Sequence, residues 1–200
     1  MSETTISSTL NFKLLQQKVA KGDKLAFRQI FDSLFTPLTK FAYSFVHSRE
    51  TATEIIDEIF VQLWIKRVDI VEIKDVKVYL YTATKNASLN YLVKKAKQVE
   101  LEPYDHLQVQ LADSMASPEQ IMISKELMDR IKLAVDALPP RCKLIFKLVR
   151  EDGLKYAEVA SILSLSIKTI DNQMVIAVSK IKEAVQDAIN MPKSPIYIKK

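Results

Sequence analysis

Three carboxylates stand close together at Glu54, Asp57 and Glu58. A cluster of this kind can hold Mg²⁺ in a helical hydrolase, or it can orient a basic partner protein. Further on, Lys85, Lys94 and Lys95 are interleaved with Asn86 and Asn90. Lysine neutralises phosphate, and asparagine can hydrogen-bond base edges. A third group comprises Ser166, Lys168, Thr169, Asn172 and Gln173. Catalytic groupings are scarce. His47 and His106 are the only histidines, and neither has clustered Cys or acidic partners at metal spacing. The acids around 50–58 have no complementary substrate motif. No catalytic residue, metal site or cofactor is expected, and the chain reads as a non-enzyme. Cys142 lies in an apolar helical run and reads as a small core residue.

The elements that position these groups are helical. The chain has 200 residues and only two glycines, Gly22 and Gly153. Average usage is about 7%, so roughly fourteen would be usual. Dinucleotide and P-loop folds need Gly-rich turns against phosphate. Sandwiches and barrels need many tight turns. The deficit excludes the former and disfavours the latter. Half the residues, 48%, are apolar and 26% are charged, so a sizeable core can form as one domain or two small ones. The single cysteine excludes an intrachain disulfide and points to the cytoplasm. The first residues lack the pattern of a signal peptide, and no apolar run approaches a membrane span, so no membrane insertion is expected.

Charge is placed unevenly along the chain. The net value is +5, but residues 50–73 carry six acids against two bases. Residues 74–97 carry six lysines against one acid, and 98–130 seven acids against two bases. These stripes are either solvated helix faces or a protein-binding patch beside a phosphate-binding patch.

Apolar spacing predicts two helices across 10–47, through Leu14, Leu15 and Val19, then Phe27, Ile30, Phe31 and Leu34. Gly22-Asp23 breaks them, and Pro37 opens a helix or kinks one. Thr51-Ala52-Thr53-Glu54 has the form of a capping box. The stripe Ile55, Ile56, Ile59, Phe60, Leu63 and Trp64 follows it, with Glu54, Asp57, Glu58 and Val61 off the stripe. Residues 68–78 read as a loop, and 77–96 as a helix anchored by Val78, Leu80, Tyr81, Leu89, Tyr91 and Leu92. The acidic segment 98–116 is the linker, which gives an all-α chain of two small helical domains, 1–97 and 117–185, with a basic, frayed tail at 186–200. Ser117-Pro118 starts a helix running to about Ala137, and Leu138-Pro139-Pro140 separates it from the next, which ends near Gly153. A short helix at Tyr156–Leu163, a turn at Ser164-Leu165-Ser166 and a helix capped by Ser166 form a helix-turn-helix signature. On the last helix, Met174 to Ala177 are four apolar residues in a row. Either two of its faces are covered or a partner covers one.

The arrangement over roughly 10–185 resembles the extracytoplasmic-function sigma factors, a group within the sigma-70 family of bacterial RNA polymerase subunits. Thr53 through Trp64 is similar to the family pattern E-D-[IV]-V-Q-E-[VT]-F-x-x-[LV]-W. Val78 through Asn86, with Asn90-Tyr91-Leu92, resembles W-L-x-x-[IV]-A-x-N followed by D-x-x-R. Leu138 through Phe146 resembles L-P-x-x-x-R-x-x-F, and Gly153 through Ile170 resembles G-x-[ST]-Y-x-E-I-A-x-x-L-x-[IV]-S-x-x-T-V. Asp57 replaces the usual Gln, and Asn90 the frequent Asp; Val93 and Ile176 stand at commonly basic positions.

The resemblance implies a factor that directs core polymerase to specific promoters and aids their melting. It places Glu54, Asp57 and Glu58 against the core enzyme, with Ile56, Phe60 and Trp64 in the domain core. It assigns Lys85, Asn86, Asn90, Lys94 and Lys95 to the −10 element, and the loop near 68–76 to a pocket for flipped bases. Asn86 could instead make a helix–helix hydrogen bond. The −35 element falls to Ser166, Lys168, Thr169, Asn172 and Gln173, with Arg141 and Lys155 clamping the backbone and Asp171 tuning specificity. Core polymerase, promoter DNA and an anti-sigma factor are the implied partners. Two rival readings are a dimeric helix-turn-helix regulator, which binds duplex DNA without polymerase, and a helical adaptor with no DNA role.

Overall fold

The computed structural model describes residues 11–98 and 122–190, and every regular element among them is helical. The chain divides into two units, Met1–Val109 and Gln110–Lys200.

In the first unit, helix α1 (Phe12–Ala20) begins where the Asn11 side chain accepts a bond from the Leu14 N–H, at 3.2 Å. It ends in a Schellman turn: Gly22 takes φ +86°, Gly22 N–H bonds Val19 O and Asp23 N–H bonds Lys18 O. Its buried face is Leu15, Gln16 and Val19. Leu14, expected in that face, is exposed, and a polar residue replaces it. Gln16 is admitted to the interior because its amide finds two carbonyls there.

Helix α2 (Lys24–Val46) is capped by Asp23, whose Oδ1 accepts the N–H groups of Leu25 and Ala26. Ala26, Ile30, Leu34, Leu38 and Phe41 repeat at three or four residues and are buried. Pro37 lies inside this helix and does not open or end one. The next corner is only His47-Ser48, with His47 in the left-handed region at φ 55°.

Helix α3 spans Arg49–Ile65. It starts ahead of the expected capping box. Ser48 is the cap, its side chain accepting from Thr51 N–H at 3.2 Å, and this leaves Thr51 inside the first turn. The expected stripe is otherwise the buried one, with Ile55, Ile56, Phe60 and Leu63 inside and Trp64 half-buried. Phe27 and Phe31 of α2 form an aromatic flank against α3. Their ring centroids lie 6.1 and 4.8 Å from Phe60, and Phe27 lies 5.0 Å from Trp64.

Residues Arg67–Glu72, expected to be loop, form a 3₁₀ helix packed on α1. Only Ile70 of this segment is fully buried, so apolar periodicity is too short to reveal it. Helix α4 (Val76–Gln98) follows, with Asp75 Oδ1 accepting from Val78 N–H at 3.1 Å. It extends one residue into the stretch assigned to the linker. Its buried face is Val76, Leu80, Tyr81, Thr84 and Ser88. The expected anchor Leu89 is 43% exposed, because the row facing α2 and α3 continues through Thr84 and Ser88. Thr84 satisfies its hydroxyl on Leu80 O at 2.8 Å.

The second unit contains α5 (Met122–Asp136), α6 (Pro140–Arg150), α7 (Tyr156–Leu163) and α8 (Ile167–Asn190). The expected helix start at Ser117-Pro118 and most of the linker lie outside the described residues. Pro140 sits at the first turn of α6, where its missing N–H costs nothing. Val135, Leu138, Cys142 and Ala177 pack into one cluster, flanked by Ile131, Phe146 and Ile181. Helix α8 does not fray at 186 but continues to Asn190. Its inner stripe of Ile170, Met174, Ala177 and Ile181 carries on through Ala184 and Val185.

Candidate polymerase and nucleic-acid interfaces

Burial of one stripe of α3 leaves Glu54, Asp57 and Glu58 exposed on the rest of the helix. Asp57 stands beside a shallow groove lined by Phe27, Phe31, Phe60, Val61, Trp64 and Ile65. Val61 and Ile65 are 56% and 60% exposed. Asp57, Val61 and Ile65 form one row, each four residues from the last. Sequence reasoning found the acids and missed these two. The available signal was an apolar pair continuing the acidic row at helical spacing. Beside them, the Arg67 guanidinium lies 5.0 Å over the Trp64 ring, and its Nη1 donates to Trp64 O at 3.2 Å. The surface is therefore carboxylate at one end, apolar in the middle and cationic at the other.

On α4, Asn86, Asn90, Lys94 and Lys95 are exposed, and Lys85 is half-buried. Asn86, Asn90 and Lys94 repeat every fourth residue and form one row. Asn86 projects to the surface rather than lying buried between helices. Leu89 and Val93 add exposed apolar surface beside the row.

The helix-turn-helix of the second unit is built tightly. Ser164 ends α7 in the left-handed region at φ 56°, ψ 46°. Leu165 N–H bonds Ala160 O at 2.9 Å and Ser164 N–H bonds Ser161 O at 3.3 Å, a Schellman pair closed without glycine. Ser166 then caps α8 as expected: its Oγ accepts Thr169 N–H at 3.0 Å and lies 2.8 Å from Thr169 Oγ1. Thr169 is thus engaged in the cap and half-buried, as is Gln173. Lys168 and Asn172, four apart, are the exposed pair on the first turns. Asp171 Oδ2 lies 3.7 Å from Lys168 Nζ, so the acid is matched by a neighbouring cation.

Arg141 and Lys155 are both exposed. Lys155 also fixes the start of α7 through its backbone, donating N–H to Glu158 Oε2 at 2.7 Å. Of the four apolar residues in a row, Met174 and Ala177 are buried, whereas Val175 and Ile176 are 63% and 41% exposed. Only one face of α8 is covered among the described residues.

Cys142 is buried, and its thiol donates to the Gln173 carbonyl at 3.2 Å. Burial pushes its pKa up, against a smaller opposing effect of the Lys180 ammonium. Among the described residues no group of His, Cys, Asp and Glu is placed to hold a metal ion, and no helix is long and apolar enough to cross a membrane.

Two helical units, the second carrying a helix-turn-helix, define the class: a two-region, all-helical chain. Residues 30–98 match the family described as Sigma-70 region 2, and residues 128–181 match Sigma-70, region 4. The chain belongs to the sigma-70 family, within its extracytoplasmic-function (ECF) group. It is 23% identical to the ECF RNA polymerase sigma-E factor of Escherichia coli, over 92% of this chain and 99% of that one. It is also 23% identical to the RNA polymerase sigma-H factor of Pseudomonas aeruginosa, over 86% and 92% of the two chains. The fold matches CnrH, solved in complex with the cytosolic domain of CnrY, with TM-score 0.51 and 18% identity over 88% and 97% of the two chains. Family membership places the chain among factors for promoter-specific transcription.

Proposed function

We propose that this chain is a specificity subunit of bacterial RNA polymerase that also helps melt the promoter, acting in the cytoplasm without catalytic residues of its own. One observation carries the reading: both sigma-70 regions occur in order, and each leaves a polar row exposed after its apolar stripe is buried. In this reading α3 docks on the core enzyme through Glu54, Asp57 and Glu58, with Val61 and Ile65 completing the contact. An acidic row orients the encounter, and the apolar pair slows dissociation.

Helix α4 and the 3₁₀ segment before it take the −10 element. Melting needs unpaired bases to be held on the non-template strand. Asn86 and Asn90 would meet base edges, while Lys85, Lys94 and Lys95 neutralise the backbone. Helix α8 reads the −35 element through Lys168 and Asn172, with Ser166, Thr169 and Gln173 holding and flanking them and Arg141 and Lys155 on phosphates. An anti-sigma partner is supported by the CnrH–CnrY complex of the structural neighbour.

The test is in vitro transcription with bacterial core polymerase on the region upstream of this chain's own gene. Initiation and permanganate-reactive thymines in the −10 element should require chain and core together. Tight promoter binding by the free chain, with no initiation when core is added, would favour the dimeric regulator instead.

A further inference from the structure

The side chain of Gln16 reaches from α1 into the segment joining α3 to α4, which packs on the same helix. Its Nε2 donates to the carbonyl of Ile70 and to the carbonyl of Ile73, both at 2.8 Å. The residue is 2% exposed and lies 54 and 57 positions away in sequence from those two acceptors. Both protons of one amide are therefore spent on a single short stretch of backbone. Elsewhere that stretch packs on α1 and closes its own turn bonds, while most of its side chains face outward. Ile70 is its only fully buried residue, whereas Val68, Asp69, Val71, Glu72 and Lys74 are all exposed. Its ends are defined by the α3 terminus at Lys66 and by Asp75, which caps α4.

We propose that Gln16 is a positioning residue for promoter recognition: it fixes the path of residues 67–73, so that the exposed side chains of this segment present one constant surface to the −10 element. The inference rests on the reading that this segment and α4 meet the −10 element together. Gln16 touches no DNA in this scheme. Two directional bonds from one amide set both the height and the rotation of the turn, which non-directional apolar packing at Ile70 does not. Removing the amide leaves one buried and one half-buried carbonyl without this donor, and a segment freer to relax towards water.

The test uses holoenzyme assembled from the full chain and core polymerase, on a promoter library randomised across the −10 element. Gln16→Met keeps length and apolar contact but deletes both donors. Gln16→Asn keeps an amide that is one methylene too short to serve both carbonyls. Each variant should keep core affinity close to the parent and lose at most a few degrees of unfolding temperature, while discrimination among −10 bases falls about tenfold. Amide hydrogen exchange should accelerate across 67–73 and stay unchanged in α2. A structural role alone would lower initiation equally on every promoter, in step with the melting temperature, and that result overturns the proposal. So does unchanged base preference in both variants.

A control separates the two levels of inference. The triple variant Asp69→Ala, Glu72→Ala, Lys74→Ala alters the presented surface without touching Gln16. If it leaves −10 preference unchanged, the segment does not meet promoter and the proposal falls with that reading. If it changes preference and Gln16→Met does not, only the role of Gln16 is lost.

Discussion

The ammonium of Lys143 lies 2.6 Å from Oδ1 of Asp136, across the Leu138-Pro139-Pro140 corner, with the lysine side chain only 7% exposed. Lys143 occupies the position of Arg in the pattern that Leu138 to Phe146 resembles. The Asp136 carboxylate is about one-third exposed, so water screens part of the pair. Asp136→Asn leaves a buried ammonium without its counter-charge and should cost about 1–3 kcal/mol. Lys143→Met removes the charge together with its need for a partner and should cost less than about 1 kcal/mol. Urea denaturation of the two single variants and the double variant measures this; equal losses from both singles would contradict the asymmetry.

Ser164 closes the helix-turn-helix at φ 56°, a region glycine enters without strain. Ser164→Gly should therefore stabilise the chain by up to about 1 kcal/mol, after the added freedom of the unfolded glycine is subtracted. Ser164→Val should destabilise it, because a β-branched side chain crowds this conformation. Chemical denaturation reads both, and a destabilising glycine would show that the turn is held in some other way.

Reversing Asp57 and Glu58 to Lys places cations where the core enzyme is expected to present cations. Both side chains are exposed, so the helix content should survive. Affinity for core polymerase should fall about 100-fold, since like-charge juxtaposition costs several kcal/mol. Titration of labelled chain against core, with circular dichroism as the folding control, gives the answer. Retained affinity would remove α3 from the docking surface.

Lys94, Lys95 and Lys97 are all exposed at the end of α4. Changing the three to Ala should weaken promoter complexes and lower the slope of log K against log salt by about 2 units, at ~0.7 per single-strand phosphate contact. The measurement is holoenzyme binding to promoter across a salt series. A parallel line, merely displaced, would argue that these lysines act on folding rather than on phosphate.

Cys142 offers a pH dependence. Burial raises its folded pKa, so the unfolded thiol ionises first as pH climbs through the ordinary thiol range. The unfolded state then binds fewer protons than the native state, and stability falls with rising pH. Cys142→Ala lacks this loss. The stability advantage of the parent over Cys142→Ala should narrow between about pH 8 and 10. Native chain should also react with Ellman's reagent only as fast as it unfolds; fast labelling at pH 8 would place the thiol at the surface.

Much of the fold was legible because helical stripes are a local property. Ile55, Ile56, Phe60 and Leu63 announced α3, Val159 and Ala160 announced α7, and Gly22 and Ser166 marked turn and cap where the structure has them. The misreadings share a cause. Leu14 is apolar yet exposed, Gln16 is polar yet buried, and Leu89 gives way to Thr84 and Ser88. In each case an apolar pattern fits two adjacent faces, and only the neighbouring helix selects between them. The 3₁₀ helix at Arg67–Glu72 is held by α1 from more than fifty residues away, so no local window contains its reason.

The candidate interfaces divide in the same manner. By itself the sequence determined which residues can do chemistry: acids at 54–58, lysines and asparagines on α4, a capped polar turn at 166–173. Those follow from side-chain type and from spacing along one helix. Only the tertiary structure decided that Val61 and Ile65 join Asp57 at a groove, that Thr169 serves the cap while Lys168 and Asn172 face outward, and that Gln16 straps the segment before α4. Such choices depend on which surface a distant helix covers, and burial of one face leaves the other free to bind.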